Sequence, residues 1–369
     1  MIWRFLVLIA LASTISLGRE SLSSYAEPSR QSSTQITPKL AQSAIEYLNR
    51  ANEKYKKGDY QEAIADYTQA INLKPNYAEA YNNRGLAKAA LEESKGAIAD
   101  YTEAIRISPD YAEAYNNRGV LKVNLEDNKG AIFDFTESIR IKPNQLAYFN
   151  RGEAKAILED YKGAIADYNE AIRINPDFAE VYARRGTAKS WLGDKKGAFA
   201  DYTKAIRLNP KDDNAYFNRG SLKSDLGDKK GAIADYTEAI RLNPNSRLSY
   251  LMRGSLKSEL GDKKGAITDY TEAIRLSPRS AFNYDFRGLA KHDLGDYQGA
   301  ITDYNEAVRL MPNAAAPYLH RGLSKKALGD NQGALADLQK AAQIFKQQGQ
   351  TDWYQSALKS IAEIQKSLR

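Results

Sequence analysis

The chain has 369 residues, 43% of them hydrophobic and 27% charged, a globular balance that argues against wholesale disorder. Zero cysteines exclude disulfides, thiolate metal sites, a cysteine nucleophile and lipidation at cysteine, and two histidines, His292 and His320, leave little material for zinc or Ser/His chemistry. A net charge of +7 raises nucleic acid or an anionic surface as partners, to be weighed against where the charges sit.

The chain opens MIWRFLVLIALASTISLG, in which Arg4 precedes an apolar run from Phe5 to Ala12 that fades through Leu17. This is too short for the ~20 apolar residues of a membrane span. Ser24-Tyr25-Ala26 puts small residues at the spacing an export peptidase prefers, so residues 1–26 are expected to be a signal peptide cleaved after Ala26. The protein would then work in the periplasm or another extracytoplasmic compartment; an uncleaved, membrane-anchoring segment is the alternative. Residues 27–43, EPSRQSSTQITPKLAQS, are polar with two prolines and read as a linker.

From residue 44 to 349 one phrase recurs nine times. Prolines fall at Pro75, Pro109, Pro143, Pro176, Pro210, Pro244, Pro278 and Pro312, a beat of 34 residues broken once by 33. The short interval places one lost residue near Asn144–Ala147, in the loop before the fourth copy. A fixed period of this length signals a helix-turn-helix solenoid. In the second copy, 78–91 fits a first helix loosely, whereas in 96–107 Ala97, Ile98, Tyr101, Ala104 and Ile105 form a clean helical stripe. The proline then stops the second helix. Neither helix has apolar face enough for its own core, so neighbours must stack. After the ninth copy, residues 350–369 read as a capping helix, with Thr351 as its N-cap and Ala357, Leu358, Ile361, Ile364 and Leu368 on its apolar face.

The sequence LGDKKGA, at 226–232, has the glycines and lysines of a phosphate-cradling loop. Elsewhere, however, the slot reads LEESKGA, LEDNKGA, LEDYKGA, LGDYQGA or LGDNQGA, so the lysines are replaceable. It is the inner turn of a copy: the first glycine ends one helix and the aspartate caps the next. The second glycine falls in the first turn of that helix, where it is expected to allow close helix approach.

Tyr81, Gly85, Ala97, Tyr101, Ala104 and Pro109 stand at the spacing that resembles the tetratricopeptide repeat (TPR) family. The resemblance implies an all-α fold, a right-handed superhelix of antiparallel helix pairs, whose concave groove binds partner peptides. Two columns depart from the usual pattern. Every first helix carries an arginine (Arg50 through Arg321) and, four residues later, a lysine (Lys54 through Lys325), while every second helix carries an aspartate (Asp66 through Asp337). Each aspartate is expected between the two bases across the helix pair. That leaves one positive charge per copy, which over nine copies exceeds the whole-chain +7, so the basic excess belongs to the scaffold and nucleic acid drops down the list of partners. Tyrosines at helical spacing read as packing rather than as a base-stacking platform.

Function is therefore sought in the variable positions of the first helices. Asn49, Asn83, Asn117, Asn150 and Asn218 share one position, and the family resemblance implies that such a ladder can hold the backbone of an extended peptide. Arg184, Met252, Phe286 and His320 replace them in the other copies, with Phe149, Trp191, Phe217, Leu248, Leu251, Phe282, Leu289, Leu319 and Leu323 nearby. The array is thus read as a non-catalytic scaffold with an amide-lined groove in its early copies and an apolar one in its late copies. Its partner would be a protein or peptide, with no cofactor, metal or small-molecule substrate. A module for an anionic polymer or membrane surface, and a regulatory subunit of an envelope enzyme, are the competing readings. A carboxylate clamp is incomplete because Glu79, Glu113 and Glu180 occupy the basic positions, and no HExxH, Walker or nucleophile-elbow sequence appears.

Overall fold

The computed structural model describes residues 38–368, which form nineteen helices with no strand among the described residues. Two compact units divide inside one helix, between Ala198 and Phe199. The first contains α1 (Pro38–Lys57), α2 (Tyr60–Leu73), α3 (Ala78–Ala90), α4 (Ser94–Ile107), α5 (Ala112–Asn124), α6 (Asn128–Ile141), α7 (Gln145–Ile157), α8 (Tyr161–Ile174) and α9 (Ala179–Trp191); α10 (Lys195–Leu208) carries the division. The second contains α11 (Asp213–Asp225), α12 (Lys229–Leu242), α13 (Arg247–Glu259), α14 (Lys263–Leu276), α15 (Ala281–Asp293), α16 (Tyr297–Leu310), α17 (Ala315–Ala327), α18 (Asn331–Gln347) and α19 (Thr351–Ser367). The expected signal peptide lies outside the described residues. The linker expected over 27–43 ends sooner, because Pro38 opens α1, a position where a proline's missing N–H is no loss.

Within each unit consecutive helices pack on one another. The two helices of a copy are antiparallel, so residues equidistant from the inner turn meet: Arg84 with Asp100, and Lys88 with Gly96. Both helices of a copy bury small residues, and the second contributes a regular stripe. Ala97, Tyr101 and Ala104 are buried, as are Ala63, Tyr67 and Ala70 in the first copy and Ala300, Tyr304 and Ala307 in the eighth. Small alanines bring the helices close, and the tyrosine ring fills the space between them. The glycine of the Arg-Gly pair is where that ring lands. A Cβ on Gly85 would stand 2.7 Å from the Tyr101 ring, so the position has no room for a side chain.

The inner turns have the chemistry expected of punctuation. Gly227 takes φ 85°, its N–H bonds to Ser224 C=O, and Asp228 N–H bonds to Lys223 C=O, the paired closure of a Schellman motif. Asp228 then caps α12 by accepting from Gly231 N–H at 2.9 Å. This corrects the expectation for the second glycine. A Cβ on Gly231 would lie 2.1 Å from Asp228 Oδ2, so the glycine leaves room for the capping carboxylate; in the second copy, which has no capping side chain, Gly96 instead faces Lys88 of the other helix at 3.2 Å. The same pair recurs at Asp127/Gly130, Asp160/Gly163, Asp262/Gly265, Asp296/Gly299 and Asp330/Gly333. In three early copies the left-handed slot is filled instead by Glu92, Glu126 and Glu159, at φ 62–63°.

The lost residue lies where the interval placed it: residues 142–144 join α6 to α7, whereas residues 108–111 join α4 to α5. Asn144 caps α7 through Ala147 N–H. At the chain's end α19 buries Ala357, Ile361 and Ile364 against Leu338, Ala341 and Phe345 of α18 and their neighbours. Leu358 and Leu368 are exposed, so the apolar stripe is narrower than expected. Thr351 is the first helical residue rather than the cap; Gln350 holds the cap position without a side-chain bond.

Candidate functional site

The two basic columns turn inward. Arg118 grips fully buried Asp134 through Nε to Oδ2 at 2.9 Å and Nη2 to Oδ1 at 2.7 Å, Lys122 Nζ lies 2.8 Å from the same Oδ2, and Arg118 Nη1 donates to Thr102 of the preceding copy at 3.1 Å. Asp66, Asp100, Asp167, Asp235, Asp269, Asp303 and Asp337 each sit between their own arginine and lysine in the same way. The guanidinium hydrogen bond from Arg50 holds the Asp66 carboxyl below its ordinary value, against the opposing effect of burial. These bases are joints within and between copies.

The first helices are also tied to one another by polar side chains that bridge successive copies. Asn83 Nδ2 donates to Asn52 Oδ1, Asn117 Nδ2 to Asn82 Oδ1, and Asn150 Nδ2 to Asn116 Oδ1, each at 3.1 Å. Three of the five ladder asparagines therefore spend a donor on the preceding copy; Asn83 is buried, and Asn117 and Asn150 are half-buried. Asn49 is exposed and Asn218 half-buried, and neither makes a side-chain hydrogen bond to another described residue of its own unit. Arg184 occupies the same position as the amides and reaches back in the same way, with Nε 3.4 Å from Glu153 Oε2 and Nη2 3.4 Å from Glu180 Oε1. Glu153 is buried and also accepts from Tyr168 Oη at 2.5 Å. Burial pushes its carboxyl upward, with the Arg184 charge opposing.

In the second unit the corresponding bridge is ionisable. His320 Nδ1 lies 2.9 Å from Oδ1 of buried Asp285. One turn on, Ser324 Oγ lies 3.0 Å from His320 C=O and 2.7 Å from His292 Nδ1, so one hydroxyl connects the two histidines. Burial lowers the His292 pKa, and the nearby His320 adds to that effect while Asp293 opposes it.

The apolar candidates separate into packed and presented residues. Phe149 is buried, with its ring 5.2 Å from Phe178 and 6.2 Å from Tyr168, and Leu251 and Leu319 are buried too, so these three belong to the core and not to a groove surface. Trp191 stacks on Tyr161 at 5.8 Å, and Phe217 lies 5.5 Å from Tyr236; both are half-buried. Met252, Leu289, Leu248 and Leu323 are likewise half-buried. Phe282 and Phe286 stand out on α15 at 53% and 39% exposure, the latter stacked on Tyr270 at 5.9 Å. Sequence reading named one side of each bridge and missed the acceptors Asn52, Asn82, Asn116, Glu153 and Asp285. Their signal was the matched change of Arg184 with Glu153 and of His320 with Asp285.

Stacked helix pairs with repeated joints and a variable first-helix face define a helical-repeat interaction protein. The chain belongs to the tetratricopeptide repeat family. The family model described as TPR repeat matches residues 51–92, 89–125, 152–189 and 288–329, and those described as Tetratricopeptide repeat match 112–145, 179–212, 214–246 and 249–280. Among solved structures the chain is similar to a tetratricopeptide repeat protein from Parabacteroides merdae, with TM-score 0.51, 20% identity, and 68% of this chain and 99% of that one covered. It is also similar to Pseudomonas aeruginosa pilF, with TM-score 0.53, 16% identity, and coverages of 60% and 99%. YrrB, described as a TPR protein with an unusual peptide-binding site, aligns at 23% identity and TM-score 0.44 over 50% of this chain and 95% of its own. These likenesses concern the fold alone.

Proposed function

We propose that the protein is a non-catalytic scaffold whose first-helix face takes an extended or helical segment of a partner protein. The observation that carries this reading is the exposure of Phe282 and Phe286 on α15, large apolar side chains left to water on the face whose residues change from copy to copy. In the first unit the half-buried amides of Asn117 and Asn150 suit a peptide main chain of any sequence, since a carboxamide both donates and accepts. Phe286→Ala and Met252→Ala, checked for native circular dichroism, should remove partners captured by crosslinking mass spectrometry on the envelope fraction. An unchanged partner set refutes the division into amide and apolar stretches. The scaffold is further proposed to act after export directed by residues 1–26. N-terminal sequencing of the mature protein should then begin at Glu27, and a chain retaining Met1 in the cytosol would overturn export.

A further inference from the structure

Between α1, α2 and α3 lies a cavity of about 90 Å³, several times what one water needs, lined by Asn52, Tyr55, Lys56, Tyr67, Asn83 and Leu86. Its polar groups are oriented by a row of amides that all point one way. Asn117 Nδ2 donates to Asn82 Oδ1 at 3.1 Å, Asn82 Nδ2 to Asn83 Oδ1 at 3.0 Å, and Asn83 Nδ2 to Asn52 Oδ1 at 3.1 Å. The Tyr67 hydroxyl closes the row by donating to the same Asn52 oxygen at 2.7 Å. With Oδ1 occupied twice, the orientation of the Asn52 carboxamide is set. Its Nδ2 makes no hydrogen bond to another described residue, and Asn52 is one of the residues that line the cavity. A row of aligned amides polarises its members, which strengthens the terminal donor.

The group that fits must therefore bring an acceptor, and the surrounding charges select its kind. Lys56 Nζ at the rim is already 2.8 Å from Glu53, and Arg50 and Lys54 are committed to Asp66. Glu79, one turn before Asn83 on α3, does not line the cavity but is near enough for its charge to act on the Tyr67 hydroxyl. A carboxylate would enter without an uncommitted cation. A neutral carboxamide needs none: its oxygen accepts from Asn52 Nδ2, its own N–H₂ can use the hydroxyl oxygens of Tyr55 and Tyr67, and Leu86 with the Tyr55 ring gives apolar wall for the methylenes.

We infer that the cavity between the first two copies is a specificity pocket for a carboxamide side chain, glutamine or asparagine, of the bound segment. This rests on the reading of the first-helix face as a peptide site, and the experiment separates the two. N-acetyl-glutamine methylamide is titrated into the 15N-labelled full chain while the side-chain amide resonances of Asn52 and Asn83 are followed, with N-acetyl-glutamate methylamide as the comparison. The glutamine probe should shift both resonances and the glutamate probe should not. Asn52→Asp keeps an acceptor for Tyr67 and Asn83 but removes the donor, and it should weaken the response of Asn83 about tenfold, the worth of one hydrogen bond. No shift with glutamine, or equal shifts with both probes, overturns the pocket. In parallel, a displayed peptide library is selected on the full chain. Ligands lost on Asn150→Ala, a first-unit change outside the pocket, but without a glutamine or asparagine position sink the pocket and leave the groove. A glutamine response with no ligand from the library sinks the groove and leaves the pocket.

Discussion

Replacing Glu92, Glu126 and Glu159 with glycine should stabilise the protein. All three are exposed, and all sit at φ 62–63° in the turn slot that glycine fills at φ 81–88° in Gly193, Gly227, Gly261, Gly295 and Gly329. Left-handed backbone costs a residue with a Cβ roughly 1–2 kcal/mol. Glycine returns about 0.4–1 kcal/mol of that through the greater freedom of the unfolded chain. The net gain is about 0.5–1 kcal/mol per site, and the three sites lie on separate copies with no shared partner, so the triple variant should gain about 2 kcal/mol. In a urea melt followed by circular dichroism, the gain appears as a higher midpoint at unchanged slope. Glu92→Gln is the charge control and should leave the midpoint in place. Gly227→Glu is the converse and should lower it by a similar amount. A triple glycine variant no more stable than its parent, or a neutral Gly227→Glu, would falsify the account of this slot.

Other joints are tested one at a time. Asp134→Asn leaves Arg118 and Lys122 without their shared carboxylate, and it should cost about 3 kcal/mol in a thermal melt. Tyr67→Phe removes the bond to Asn52 and should cost about 1 kcal/mol, whereas Tyr304→Phe should cost nothing, because Leu289 stands where Asn52 does and the buried Tyr304 hydroxyl has no partner among the described residues. Since burial lowers the His292 pKa, the stability this group contributes is present above its unfolded value of about 6.5 and is lost as pH falls below it. The unfolding midpoint should drop between about pH 7 and pH 5. His292→Gln should show a smaller drop, and an equal drop in both proteins places the pH dependence elsewhere.

The period, the helix pairs, the capping aspartates and the Arg–Asp–Lys joint were legible because each is written within a single copy and then repeated. A column that reads Arg, Lys or Asp in every copy needs one explanation, and geometry within the pair supplies it. The first-helix bridges were harder. Arg184 answers Glu153 at a separation of 31 residues and His320 answers Asp285 at 35, so the partners stand in different columns and neither column is constant. The second glycine of the turn differs from expectation for a related reason: where an aspartate caps the helix, the glycine's nearest neighbour is that aspartate three residues before it, and Gly96, in a copy without such a cap, meets Lys88 across the pair. Phe149 and Phe286 stand in adjacent columns: Phe149, two residues before its arginine, shares the column in which Leu48, Leu251 and Leu319 are buried, while Phe286, one residue before its arginine, lies open on Tyr270. Grouping both as groove residues overlooked that one-residue shift.

These bridges also constrain how the first-helix face can change. The residue that follows the buried column carries two loads, since it meets solvent on one side and ties its helix to the preceding copy on the other. Changing Asn83 alone leaves Asn52 short of a donor, and changing Arg184 alone leaves buried Glu153 facing only a tyrosine hydroxyl. A buried polar group stripped of its partner costs about 1–3 kcal/mol, so substitutions here are tolerated in pairs. Phe286 has no such tie. It touches its scaffold through a ring stack, and an apolar replacement of similar size leaves no polar atom exposed to the core. The amide stretch of the face is therefore held to a narrow chemistry by its own packing, while the apolar stretch can be retuned one residue at a time. Differences in partner choice within such an array should accumulate first around Phe282, Phe286 and Met252.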